Sequence, residues 1–327
     1  MMKTALITGI TGQDGAYLSE LLLQKGYRVI GLTRSYNQTN FKSLHYLGIL
    51  DQIVLEDCDL TDITQILKIL YKYKPDEIYN LAAQSSVSLS FNQPIGTIQF
   101  NIISVLNLLE AIKMASPISQ IRFYQASSSE MYGLVKDLPI TESTVFHPLS
   151  PYAISKASAH WLTVNYRESY GLFTSCGILF NHESYLRSEN FFMKKVIHES
   201  LRIKYNLQNN LLVGNIEIKR DFGYAKKYVE VMWLMLQQDK ADDYIIGSGR
   251  SISLRSIIEH IFKRLSITAD KLIIDKALFR PTDIIDIYGD NTKAKSMLGW
   301  DYQTDFFDVI DIMLDEEEKN KFTMNGR

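Results

Sequence analysis

A tyrosine and a lysine stand four residues apart in the run Tyr152-Ala153-Ile154-Ser155-Lys156. On a helix that spacing puts both side chains on one face. An ammonium near a phenol favours the phenolate and lowers the tyrosine pKa. A phenol that ordinarily titrates near about 10 then becomes a usable base at neutral pH. Such pairs arise often by chance, but this one is joined by Ser127-Ser128-Ser129-Glu130, which follows an apolar run ending at Ala126. Serine hydroxyls there can hydrogen-bond a substrate hydroxyl undergoing oxidation. Plain hydride transfer needs only the tyrosine, the lysine and a serine. The added carboxylate of Glu130 points to proton abstraction beside a newly made carbonyl, the alternative being a residue of a helix's first turn.

A second set of residues suits a phosphate. Gly9-Ile10-Thr11-Gly12-Gln13-Asp14-Gly15 lies between the first apolar run and the first helical pattern. Gly9 allows a sharp turn, Gly12 lets backbone approach a pyrophosphate, and Gly15 lets the helix pack closely on the strand. The helix N-terminus then faces the phosphate charge. The second strand ends Leu32-Thr33-Arg34-Ser35 without a carboxylate. A carboxylate there would bind a ribose 2′-hydroxyl and repel a 2′-phosphate, whereas Arg34 can pair with a phosphate. The reading is NADP rather than NAD. Asp59 and Leu60, just past the third strand, are placed to meet the adenine, although Asp59 could equally cap a turn.

The elements that must hold these groups follow from the pattern. Strands are expected at 3–8, 28–33, 52–56, 77–81 and 122–126, and helices at 16–25, 62–73 (Asp62 as N-cap, Pro75 beyond its end) and 94–114. This β-α-β-α order argues a parallel sheet with helices on both faces, and such sheets bind ligands at the carboxyl ends of their strands. A long helix at 151–170 and a strand at 174–179 come next. Beyond Asn181 the signal weakens, and a smaller C-terminal α/β lobe is expected, interleaved with the first: residues 1–180 for the cofactor and 181–327 mainly for substrate. The charge run at 315–321 reads as a solvated helix end or frayed tail rather than a binding element.

Composition bounds the rest. The 327 residues carry 46% hydrophobic and 22% charged side chains, with a formal net charge of -2. Nucleic acid is not an expected partner. Cys58 and Cys176 lie in no metal-ligand spacing and cannot make a disulfide framework; no metal is expected. No run reaches the roughly 18 uninterrupted apolar residues of a spanning helix, and no signal-peptide core follows the N-terminus. A soluble, cytoplasmic protein is expected, with no membrane partner.

Together these residues resemble the extended short-chain dehydrogenases, and within them the GDP-mannose 4,6-dehydratases. The resemblance runs through residues 7–15, 75–81 and 123–127, then Ser129-Glu130-Met131-Tyr132-Gly133 and Ser150-Pro151-Tyr152-Ala153. It continues through 164–171, Ile178-Leu179-Phe180-Asn181-His182-Glu183-Ser184, Arg280-Pro281-Thr282, 292–295 and Leu298-Gly299-Trp300. It implies a Rossmann-like, doubly wound fold and a catalytic Ser128, Glu130, Tyr152 and Lys156, with serine where the family usually has threonine. It assigns Gly9, Thr11, Gly12, Gln13, Asp14, Gly15, Arg34, Asp59, Leu60, Leu81, Ala83, Tyr152 and Lys156 to NADP. It assigns Ser85, Glu130, Asn181, Arg187, Lys195, Arg220 and Arg280 to a GDP-sugar, where arginines suit a diphosphate. Three positions depart from the pattern. Arg34 is followed by Ser35 instead of a second arginine, the loop 35–41 looks shorter, and Phe222 replaces tryptophan. The shorter loop leaves a homodimer or a homotetramer open.

The resemblance implies dehydration by internal redox of GDP-mannose or GDP-heptose. A 4-epimerase or 4-keto reductase would need Tyr152 and Lys156 but no base at Glu130. A catalytically silent nucleotide-sugar sensor would not need the serine, glutamate, tyrosine and lysine set.

Overall fold

The computed structural model describes residues 2–35, 37, 39–116 and 120–323, with Thr323 by its backbone alone; positions 36 and 38 of the loop after Arg34 lie outside the described residues. The chain begins with β1 (Thr4–Thr8), α1 (Gln13–Gln24), β2 (Arg28–Thr33), α2 (Lys42–Tyr46) and β3 (Val54–Asp57). It continues through α3 (Ile63–Tyr73), β4 (Glu77–Asn80), α4 (Val87–Asn92), α5 (Pro94–Ala115) and β5 (Arg122–Ser128). Then come α6 (Pro151–Tyr170), β6 (Thr174–Leu179), β7 (Asn181–Glu183), α7 (Phe192–Lys204), β8 (Leu211–Val213) and β9 (Lys219–Tyr224). Last are α8 (Ala225–Met235), β10 (Tyr244–Ile246), β11 (Ser251–Ser253), α9 (Leu254–Leu265), β12 (Leu272–Ile274), α10 (Thr292–Leu298) and α11 (Phe306–Glu318).

Seven strands form one parallel sheet in the order β10-β6-β5-β4-β1-β2-β3. Alternate residues of each strand face opposite ways, and the sequence loads both faces. Ala5, Ile7, Val29 and Tyr79 pack against α1 and α8, while Leu6, Ile30, Leu32 and Ile78 pack against α3, α5 and α6. Fully burying such a side chain contributes about 1.5–3 kcal/mol. Local signals close the helices: Asp62 caps α3 by accepting from the Thr64 amide, Ser150 caps α6 through the Ala153 amide, and Gly171 ends α6 in the left-handed conformation.

Helix α5 is long and apolar enough by composition to cross a membrane. Here it is a sheet-covering helix packed between α3 and α6, with Val105, Leu108, Leu109 and Ile112 buried. Its high hydropathy comes from covering the sheet on one side while Ile95, Ile103 and Met114 stay exposed on the other.

The second lobe has its own apolar core from α7, α9, α11, β8 and β9. Two small sheets, β11-β9-β7 and β12-β8, lie within it. The chain nevertheless returns to the large sheet after Asn181, because β10 pairs with β6 and α8 packs on α1. The buried Asp221 ties the loops of this return together, accepting from the Ser248 amide and hydroxyl and from the Gly249 and Gly289 amides. Burial still pushes its pKa up to about 6.

Candidate active site

The strand order turns outward in both directions from β1 and β4, which is where doubly wound sheets open a crevice. A cavity of about 1090 Å³ opens there. That is at the top of the range for a single small ligand, roughly 300–1,000 Å³.

One wall is the glycine loop. Gly9 has φ +69°, and a Cβ on it would meet the Ala82 amide nitrogen at 2.8 Å. A Cβ on Gly15 would lie 2.4 Å from the Gly9 carbonyl oxygen, so α1 can start this close to β1 only with glycine there. Helix α1 begins at Gly12 with no side-chain cap, leaving its first amides to face the cavity. Tight glycine backbone and an uncapped helix start form a cradle that fits a dinucleotide pyrophosphate.

Asp14 sits in that first turn and is already engaged. Nε2 of His182 lies 3.0 and 2.9 Å from its two carboxylate oxygens, while Nδ1 faces the Phe180 carbonyl oxygen at 2.8 Å. Burial works to raise the Asp14 pKa, but the charge and hydrogen bond of His182 outweigh it and hold the carboxylate below its usual range. Burial likewise works to lower His182, and Asp14 outweighs it, so the imidazole is pushed up. Gln13 links to the same segment, donating to the His182 carbonyl oxygen and accepting from Ser184. The segment 182–184 thus locks the cofactor loop to the second lobe. Nothing in the spacing of residues 168 apart could reveal this pair; both lie only within the segments that carry the family resemblance.

Opposite the glycine loop, β5 and α6 bring Ser128, Glu130, Tyr152 and Lys156 to the cavity. Lys156 donates to the Ala126 carbonyl oxygen at 2.7 Å, and its nitrogen is 5.9 Å from the Tyr152 ring centre. The expected lowering of the tyrosine pKa by this lysine is not what the structure gives. Burial pushes Tyr152 up to about 12, opposed by a hydrogen bond with Ser128, and burial lowers Lys156 to about 8. Removal from water outweighs the Ser128 hydrogen bond at Tyr152 and the Asp14 charge at Lys156. Asn101 of α5 bonds Ser155 and both accepts from and donates to the Gln84 backbone, fixing the loop after β4 against α6.

The remaining expected residues divide. Thr11, Leu81, Ala83, Ser85, Asn181, Arg187, Arg220 and Arg280 line the cavity. Arg220 is buried, donating to the Ile284 and Lys219 carbonyl oxygens, and Asp283 lies 3.3 Å from Arg220 and 3.7 Å from Arg280. Arg187 stacks over Phe191 and lies 3.2 Å from the buried Glu183. Arg34, Asp59, Leu60 and Lys195 are not brought to the cavity wall. Asp59 caps a turn, accepting from the Thr61 amide and hydroxyl. Lys195 turns away to the Leu212 carbonyl oxygen.

Its neighbour Lys194 lines the cavity instead, one helical step around α7. It is held by the Tyr185 carbonyl oxygen at 2.6 Å and by Glu317 of α11 at 2.5 Å. Glu317 is fully buried, and Lys321, which also lines the cavity, lies 3.0 Å from it. The charge run read as a solvated helix end therefore contains a buried carboxylate. Side chains of the second lobe, invisible to local pattern, pair with it.

Fold and cavity define a doubly wound, Rossmann-like α/β protein with a tyrosine–lysine pair at the crevice of its sheet. A sequence model of the GDP-mannose 4,6 dehydratase family matches residues 6–313. GDP-mannose 4,6 dehydratase 1 of Arabidopsis thaliana is 46% identical over 324 residues, covering 96% of this chain and 90% of the relative. Among solved structures, dTDP-glucose 4,6-dehydratase from Bacillus anthracis in complex with NAD superposes with a TM-score of 0.85 at 20% identity, over 98% of this chain and 97% of the other. RMD from Pseudomonas aeruginosa, complexed with NADPH, gives 0.81 at 24%, over 97% and 99%. The chain belongs to the GDP-mannose 4,6 dehydratase family.

Proposed function

We propose that this chain is an NADP-dependent nucleotide-sugar 4,6-dehydratase acting on GDP-mannose or a related GDP-sugar such as GDP-heptose. The observation that carries the reading is the carboxylate of Glu130 in one cavity with Ser128, Tyr152 and Lys156, beside an uncapped helix start. Gly9, Gly12 and Gly15 would hold the cofactor's pyrophosphate, with Lys156 and Tyr152 beside its nicotinamide end. When bound, a nicotinamide supplies a reversible acceptor for two electrons and a hydrogen from C4, returned at C6.

The chain's own groups do the rest. Tyr152, held by Ser128, would take the proton of the 4-hydroxyl as phenolate, a form that the positive charge of a bound oxidised nicotinamide would favour against burial, as C4 becomes a carbonyl. That carbonyl acidifies the C5 hydrogen, and Glu130 takes it as a proton. The C6 hydroxyl leaves as water with the proton that Glu130 holds, and the proton on Tyr152 goes to C5 as C6 gains its hydrogen, so both groups end as they began. C4 is oxidised and C6 reduced, so no external oxidant is consumed. Asn181, Arg187, Arg220 and Arg280 hold the nucleotide diphosphate, residues 1–180 chiefly serving the cofactor and 181–327 the sugar nucleotide.

The reading extends to a cytoplasmic enzyme that is at least a homodimer. Support for assembly comes from α5 and α6, which leave Ile103, Met114, Ile154 and Trp161 exposed, the outward face that two copies could bury as a four-helix contact. The test of activity is direct. Purified protein with NADP is incubated with GDP-, UDP-, CDP- and dTDP-sugars, and products are weighed by mass spectrometry. Loss of one water from a GDP-hexose or GDP-heptose is expected. Epimerisation without loss of mass would overturn the reading.

A further inference from the structure

The end of β2 is where a dinucleotide's adenosine ribose lies, and a cation there accommodates a 2′-phosphate. Arg34 sits at that end, exposed and off the cavity wall. The carboxylate of Asp57, at the end of the adjoining strand, accepts from Thr33 Oγ1 at 3.1 Å. A carboxylate therefore stands on the strand next to the place a phosphate would occupy.

The chain returns to the same place within a few residues. Thr39 Oγ1 donates to the Ser35 carbonyl oxygen at 2.5 Å, closing the excursion that follows Arg34. Asn40 Oδ1 then accepts from the Lys42 amide at 2.9 Å, setting the direction in which α2 begins. Asn40, Lys42, Ser43 and His45 form the cavity wall on this side. No carboxylate lies among them. Lys42 is exposed, and among the described residues its ammonium makes no ion pair or hydrogen bond.

We propose that Lys42 is a cofactor-specificity residue, bracketing the adenosine 2′-phosphate of NADP together with Arg34. The inference rests on the NADP reading above. A second cation would give a group carrying nearly two negative charges a second charged contact, and a ribose 2′-hydroxyl draws nothing comparable from either.

The experiment titrates the native protein and Lys42→Ala, Lys42→Glu and Lys42→Arg with NADP and with NAD, followed by calorimetry. Lys240→Ala, an exposed lysine away from the cavity, controls for net charge. Lys42→Ala should weaken NADP about ten-fold, the order of one charge-assisted contact at a partly exposed site. NAD affinity should stay the same. Lys42→Glu should weaken NADP further, and Lys42→Arg should keep it. Unchanged NADP affinity in Lys42→Ala, or an equal fall for both cofactors, overturns the assignment. The native protein separates the two claims: equal affinity for NADP and NAD in the unaltered chain sinks the cofactor reading and the inference with it. A native preference undiminished in Lys42→Ala sinks only the inference.

Discussion

Lys156→Met should stabilise the apoprotein while abolishing turnover. Lys156 is only 6% exposed, and burial lowers its pKa from 10.5 to about 8. A depression of about 2.5 units corresponds to roughly 3 kcal/mol of strain in the charged form. The variant loses the bond to the Ala126 carbonyl oxygen, a net contribution of about 1 kcal/mol. That oxygen keeps a partner in Gln125 Nε2, so no orphaned acceptor is left. The expected gain at pH 7 is about 2 kcal/mol. Its pH dependence has a definite sign. Between about pH 8 and 10.5 the unfolded chain binds the proton that the folded chain has released, so the parent's stability rises with pH across that window. Below pH 8 the strain is fully present, and above 10.5 it is gone. Urea denaturation without cofactor, at pH 7 and pH 10, measures both. A variant less stable than its parent at pH 7, or a gain of the same size at both pH values, would refute the reasoning.

Three further outcomes are expected. Glu130→Gln should bind cofactor and sugar nucleotide normally and release dehydrated product a hundred- to ten-thousand-fold more slowly, with reduced nicotinamide absorbance accumulating; turnover at the native rate would make Glu130 structural. Arg34→Ala should erase most of a preference for NADP over NAD in binding titrations, and a preference left intact would remove Arg34 from the cofactor site. Light scattering should find at least a dimer at micromolar concentration, and Ile103→Asp, on the exposed face of α5, should shift it to monomer; a native monomer would contradict the assembly reading.

The first half of the fold was readable because its elements are local. Helix 151–170 and strand 174–179 appear with the expected bounds, since Ser150, Pro151 and Gly171 punctuate the helix by rules that act within one turn. The start of α1 was placed three residues late, because Gln13 and Asp14 break the apolar pattern although they are helical. The proposed catalytic residues are legible as types at a spacing, but their ionisation is not. Whether Tyr152 is raised or lowered depends on burial, and burial is a property of the assembled cavity. The pairs Asp14–His182 and Lys194–Glu317, and the return of β10 to the sheet, join segments far apart in the chain. Periodicity within a window carries no information about them.

The clasp between Lys194, Glu317 and Lys321 has a consequence for how the protein comes into being. The glycine cradle leaves the ribosome before the residues that complete the opposite rim of the cavity. A nascent chain arrested after β10 would have strands for the whole large sheet, the glycine cradle and most of the cavity wall, yet Lys194 would face an open rim where Glu317 and Lys321 belong. Translation therefore delivers the cradle before the clasp that closes the rim.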